Sequence, residues 1–395
     1  MIPFKLLSYA NLAFTYLNAS WFSVYGTDYS VVAPKVFIIG MVNKRHFSRV
    51  GLADRFVVYQ FGEEGRAWND IPEFDLLGRN ITVPGFSPLY PQAHCTMDGD
   101  VCQMVTGAGE INAASTITAL VHSPLFNLSR TYFLIAGIAG ISPKLGTLGS
   151  VTFARFSVQV ALQHEFDARE MPPGFSTGYL PQGSFTPDEY PRRLYGTEVF
   201  EVNDDLRHVA IAMAQKGRLS DDERSREYRA RYRSSPEFAA ATGPPSVVAC
   251  DTATADTFWS GRLLAEAFED TTRLFTNGTA KYCTTQQEDS GTLAALLRGA
   301  LVGLIDFSRI IIMRTASNFD RPYLGQSAAA NLFLMSGYEL AIMNIPLAGV
   351  PVVQGIISQW VGKFEQGIKP SNYVGDIFGS LGGTPDFGAG RLLAL

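Results

Sequence analysis

Four short stretches of this 395-residue chain hold residue types that can do chemistry on a small molecule. The first, VTGAGEINAA (105–114), sets Gly107, Gly109 and Asn112 at the entry to a helix. Glycines there expose successive backbone N–H groups, a nest suited to an anion or a sugar oxygen. It is not a dinucleotide fingerprint, because Asn112 stands where the third glycine belongs. The second, Gln287-Glu288-Asp289, also opens a helix. Acids at that place complement the helix dipole, and a carboxylate can accept both hydroxyls of a cis-diol. In the third, Phe258 and Trp259 either fill core or offer ring faces to a planar ligand, worth about 1–3 kcal/mol by stacking. The fourth, MRTASNFDRP (313–322), presents an amide, Asn318, and a carboxyl, Asp320, just beyond a strand.

Two other patterns mimic catalytic motifs without their setting. GFSTG (174–178) has serine-hydrolase spacing, but it runs from a Pro-Pro pair into YLPQG and lacks the strand–turn–helix context. The five histidines, His46, His94, His122, His164 and His208, show no ligand spacing, so no metal is expected. A net charge of -5 and the absence of a basic cluster argue against nucleic acid as a partner. The run RSREYRARYR (224–233) alternates with acids and reads as a solvated helix face. No stretch reaches the roughly 18–20 uninterrupted apolar residues of a membrane helix.

The elements that must position these residues are buried strands alternating with helices. That order indicates one α/β domain with helices on both faces of a sheet. Strands are expected at 36–39, 101–105, 132–135, 150–154, 247–249 and 309–313. Helices are expected at 112–121, 204–216, 291–304 and 348–364. After Ile135 the strand is expected to yield to a small-residue turn, 136–140, where Gly140 lets the backbone approach a ligand at a strand's carboxyl end. Residues 172–191 form a Pro/Gly/aromatic loop too long for a connector and are expected to act as a lid.

Residues 42–60 do not fit this plan. They open on valine, whose codons begin GT, and close on glutamine, whose codon can end AG, so they read either as a retained intron or as a genuine surface insertion. Residues 1–33 form a leader with a lysine and a partly apolar stretch, which reads either as a secretory signal interrupted by Asn11 and Thr15 or as a plain disordered start. Residues 34–395 form the single domain. Four cysteines suit two disulfides, Cys95–Cys102 and Cys250–Cys283, and sequons stand at Asn18, Asn80, Asn127 and Asn277. Both features favour a secreted or cell-envelope location, with the cytoplasm as the alternative.

Taken in order, NITVPGFSPLYP (80–91), VTGAGEINAA, YFLIAGIAGISP (132–143), VACDTATADTFWSG (248–261) and MRTASNFDRP resemble the purine nucleoside permease family. That family is itself similar to the nucleoside phosphorylase and nucleosidase superfamily. The resemblance implies a three-layer nucleoside-phosphorylase-like α/β fold, with a central mixed, twisted sheet between helices. It implies a purine nucleoside as ligand, no cofactor other than phosphate as co-substrate, and a homodimer or homotrimer.

Residue by residue, the resemblance places Gly107, Gly109 and Asn112 on the phosphate or ribosyl group. Gln287-Glu288 stands where the superfamily has Met-Glu, which makes Glu288 the ribose clamp. Phe258 and Trp259 line the purine pocket, with Gly140 beneath the ligand. Asn318 replaces the acid that assists the leaving purine in many members, and Asp320 is the alternative acid. With 42–60 removed the chain begins VFIIGMFGEEGRAW, and Glu64, then Glu63, takes the place of a glutamate that activates water, with Arg66 nearby. The implied chemistry is cleavage of the N-glycosidic bond through an oxocarbenium-like state. The family name implies a competing role, an uptake factor that binds without turnover, and a scaffold that does neither is the third.

Overall fold

The computed structural model describes residues 30–41, 63–69 and 71–387. The intron-like segment 42–60 and most of the leader lie outside the described residues. Strand β1 (Val36–Gly40) is buried throughout: Phe37 and Ile39 enter one hydrophobic cluster, Val36 and Ile38 the other. Side chains alternate across a strand, so a strand covered on both faces must be apolar at every position. The described chain resumes at a short helix, α1 (Glu63–Arg66). Strands β2 (Arg79–Thr82), β3 (Gln92–Cys95) and β4 (Val101–Val105) follow, and β4 returns parallel to β1. Helix α2 (Glu110–Val121) leads to β5 (Tyr132–Ile141), β6 (Val151–Ala154) and β7 (Phe156–Gln159).

An excursion holding the pair β8 (His164–Glu165) and β9 (Tyr179–Leu180) precedes β10 (Val199–Glu201). Then come α3 (Asp204–Ala214), α4 (Glu223–Arg229), β11 (Val247–Ala249), β12 (Asp251–Thr254), α5 (Arg262–Phe275) and β13 (Tyr282–Gln286). The described chain closes with α6 (Asp289–Leu301), β14 (Ile310–Phe319), α7 (Ala328–Phe333), α8 (Tyr338–Ser358) and β15 (Gly375–Asp376). The loop expected as a lid packs on α5 at two points, with ring centroids of Tyr179 and Phe268 4.9 Å apart and those of Tyr190 and Phe275 6.5 Å apart.

Thirteen strands make one mixed sheet in the order β15-β10-β7-β12-β13-β5-β1-β4-β3-β2, with β14 between β5 and β6, and β11 beyond β6. Helices α2 and α6 cover one face through Ile117, Leu120, Leu293 and Leu296. Helices α3 and α8 cover the other through Leu206, Met213, Ile345 and Val353. This is the three-layer α/β arrangement with a central mixed sheet.

Two expectations need correction. Strand β5 does not end at Ile135 but runs ten residues to Ile141, so there is no turn at 136–140. β14 follows one edge to Ile141, while the other edge is taken by β1 as far as Ile135 and by β13 at Gly140 and Ile141. Neither Gly137 nor Gly140 is among the residues with positive φ; they are glycines because other groups crowd the strand. The last long helix begins at Tyr338, ten residues before the expected start. Pro346 and Pro351 inside it, with the buried Asn344, break the apolar run that sequence shows. Among the described residues α8 is the one helix long and apolar enough to cross a membrane, and 56% of its apolar window is buried in the protein.

Candidate active site

Strand β5 is where the sheet branches, and its carboxyl half gathers the candidate residues. Glu64 is buried. Its Oε2 accepts from the Met41 N–H and its Oε1 from the Ile138 N–H, both at 2.9 Å. Helix α1 is too short to hold its own geometry. Gln103 of β4 donates to the Gly65 carbonyl at 2.8 Å, and the Tyr338 hydroxyl bonds the Glu63 carboxylate. Trp68 is fully buried against Gly349 of α8.

Opposite Glu64 stands Arg314, fully buried and in register with Gly137 across the β5–β14 pair. Its Nη1 donates to the Ile138 carbonyl at 3.0 Å, and its Nη2 donates to Asp289 at 2.5 Å and Glu288 at 3.4 Å. A Cβ on Gly137 would lie 2.8 Å from Glu64 Oε2 and 3.0 Å from Arg314 Nη1, so only glycine allows this approach. Two buried carboxyls, Glu288 and Asp289, thus share one guanidinium, and a third, Glu64, lies close enough to feel its charge. Burial pushes Glu64 up to about 8, against Arg314 and the two N–H donors, and the nearby Glu288 raises it further. Burial also raises Glu288 and Asp289, with Arg314 opposing in both.

Glu288 is fixed from two sides. Gln286 accepts the Glu288 and Asp289 N–H groups at 2.8 and 2.7 Å, ordering the entry to α6. Glu288 Oε1 accepts the Gly109 N–H at 3.3 Å. Gly107 and Gly109 have φ of 92° and 87°, values open to glycine and strained for other residues. The Glu110 N–H donates to Asp256 at 2.7 Å, so two donors of the expected anion nest already serve the protein's own carboxylates. Asn112 bonds back to the Ala108 carbonyl at 2.7 Å and braces the loop. Burial pushes Glu110 up to about 7, with Asp256, Glu288 and Asp289 adding to the shift, and Gln159 bonds its carboxylate.

A register shift between Ala316 and Asn318 sets Asn318 opposite Gly140. Its Oδ1 faces the Ser317 hydroxyl at 2.8 Å, while its Nδ2 reaches only the Phe319 carbonyl at 3.4 Å. A Cβ on Gly140 would meet Thr285 Oγ1 at 2.7 Å and Asn318 Nδ2 at 3.2 Å. Phe258 is 46% exposed, two residues beyond Asp256, with its ring available; Gln287 bonds the Asp256 carbonyl at 2.5 Å.

The remaining candidates are occupied elsewhere. Trp259 is buried edge-on against Phe268 at 4.9 Å, within a hydrophobic cluster. Asp320 is paired with Arg321 at 2.9 and 3.0 Å and accepts the Tyr282 hydroxyl at 2.7 Å, which uses both of its oxygens. Both expected cysteine pairs are joined, and each links adjacent strands: Cys95–Cys102 ties β3 to β4, and Cys250–Cys283 ties the residue before β12 to β13.

Residues 33–369 match the family model described as purine nucleoside permease. The chain belongs to that family. A purine nucleoside permease of Candida albicans is 43% identical over 371 residues, covering 92% of this chain and 85% of the relative. A probable purine nucleoside permease of Schizosaccharomyces pombe is 40% identical, covering 81% of this chain and 93% of the relative. Among solved structures, a 5'-methylthioadenosine/S-adenosylhomocysteine nucleosidase of Neisseria meningitidis aligns with a TM-score of 0.45 and 12% identity, over 81% of this chain and 99% of that one. What a purine nucleoside permease family member of this kind does at its site therefore rests on its own residues. Sequence reasoning missed Arg314 and Gly137 as site residues, although Arg314 is the one charge in the buried strand IIIMRTASNF.

Proposed function

We propose that this chain binds a purine nucleoside at the Glu64–Glu288–Asn318 cluster and hydrolyses its N-glycosidic bond as a step in nucleoside uptake. The observation that carries the chemistry is the buried Glu64 carboxyl, held by two backbone donors beside Glu288 and Arg314. The family supports the ligand. In the reaction, Glu64 takes a proton from water, the water oxygen bonds to C1′, and the glycosidic electron pair leaves with the base. Carboxylates around the ribosyl group favour its developing positive charge. Asn318 Nδ2 donates to a ring nitrogen of the departing base, whose proton comes from solvent.

Water is favoured over phosphate as the attacking group. The N–H groups of Gly109 and Glu110 already serve carboxylates, and Arg314 is shared by Glu288 and Asp289. A phosphate there would sit among acids. Adenosine, inosine and guanosine should therefore release free base at the same rate with and without phosphate. Base released only with phosphate would make the chain a phosphorylase. Binding without any base would support the second reading, a secreted or envelope-associated nucleoside binder, which the lack of an ionisable acid at Asn318 favours. The two disulfides support a location in an oxidising compartment.

Two variants probe the base side. Asn318→Asp supplies a proton donor of the kind that contributes about 10²–10⁴-fold in general-acid catalysis. It is expected to raise base release at least tenfold at acidic pH, with the gain fading as the new carboxyl ionises; a flat pH profile for the gain would place residue 318 away from the base. Gly140→Val drives a side chain into Thr285 and Asn318, a clash of the class that costs about 1–3 kcal/mol. It should abolish nucleoside binding, and unchanged affinity in a folded variant would remove Gly140 from the site.

A further inference from the structure

Three of the four sequons fall within the described residues, at Asn80, Asn127 and Asn277, and all three asparagines are exposed. The chemistry proposed above uses none of them. Asn127 lies on the connection from α2 to β5, and Asn277 on the connection from α5 to β13. These connections feed the amino ends of the two strands whose carboxyl ends carry Gly137, Gly140 and the approach to Glu288. Because β13 runs antiparallel to β5, the two asparagines stand toward opposite ends of that strand pair, and neither is among the residues of the site described above.

Their local geometry leaves the amide nitrogen accessible. Asn127 Oδ1 accepts from the Ser129 N–H at 3.2 Å and the Ser129 hydroxyl at 2.8 Å, which occupies the oxygen and leaves Nδ2 without a partner among the described residues. Asn277 has φ of 51° just past the end of α5, and Gly278 and Thr279 beside it are exposed too. Asn80 differs: it sits on the edge strand β2, tied to His94 Nδ1 at 2.6 Å. An independent observation points to the same compartment as sequon use: all four cysteines are joined in two disulfides.

We propose that Asn127 and Asn277 carry N-linked oligosaccharides. The donor class is a lipid-linked diphosphate oligosaccharide. The amide nitrogen bonds to the anomeric carbon of the sugar, the carbon–oxygen bond to the diphosphate breaks, and the amide proton passes to a base of the transferase. The lipid diphosphate leaves with the electron pair. The glycans sit on two separate connections outside the residues of the nucleoside site and leave that site open.

The test is expression of the full chain in yeast, followed by enzymatic deglycosylation and mass measurement. Deglycosylation should lower the mass of the wild-type chain. Asn127→Gln and Ser129→Ala should each remove the same step of that shift, and Asn277→Gln and Thr279→Ala the other. Binding of nucleoside should not change in any of the four. An enzyme that releases the glycan converts the linked asparagine to aspartate, so wild-type peptides report both positions even where a variant fails to fold. Unconverted asparagine at both positions, no mass shift, or the full shift in all four variants would overturn the proposal.

Discussion

Glu64→Gln is expected to lower base release by about 10²–10⁴-fold, the range for loss of a general base. The wild-type rate should rise with pH through about 8, because only the ionised carboxyl can take the proton from water. The same group predicts a stability signature. Its folded pKa lies above its ordinary value of 4.5, so the folded state holds the proton more tightly than the unfolded chain does. That contribution is fully present below about 4.5 and is lost as pH rises towards about 8. Glutamine has no such dependence, but its NH₂ would face either the Met41 or the Ile138 N–H, donor against donor, at a cost of about 1–3 kcal/mol. The variant should therefore melt below wild type at pH 6, with the gap narrowing at pH 9. Wild-type turnover in the variant would remove Glu64 as the base, and a gap that widens with pH would refute its raised pKa.

Arg314→Met carries the second large effect. Its guanidinium is the cation that Glu288 and Asp289 share, with Glu64 close by. Removing one partner of a buried ion pair typically costs about 3–5 kcal/mol, because the other charges remain uncompensated. Urea unfolding at pH 8 should show a loss of that size. The loss should shrink at pH 5, where the abandoned carboxyls take up protons at less cost. Adding Asp289→Asn should restore part of the stability at pH 8 and none of the activity. A single variant as stable as wild type at pH 8 would mean that the cluster is not an interdependent unit.

Which residues sequence could place depends on what each needs from its neighbours. The unbroken apolar run of β1 and the glycine loop before α2 are local, so they are visible in a short window. Glu288 is visible because helix entries leave a mark. Gly137 is different: its reason lies in Glu64 and Arg314, which are distant in the chain and close only in the fold. The run AGIAG therefore reads as a turn, although β14 is paired along it and β13 joins its other edge at Gly140. Trp259 and Asp320 show the converse. Their residue types suit a ligand, but Phe268 claims one, and Arg321 with Tyr282 claims the other. Whether a polar or aromatic side chain is already engaged is a property of the folded neighbourhood.

The junction that holds Glu64 has a consequence for how the length of this chain can vary. The described chain leaves the sheet at Met41 and returns at Glu63 to almost the same spot, since a Cβ on Gly40 would lie 3.8 Å from Gly65 N. Closure entropy grows only with the logarithm of loop length, about 0.6 kcal/mol for each doubling. Residues can therefore be gained or lost between these points with little thermodynamic resistance. Selection can hold the carboxyl in place while the length of chain before it drifts.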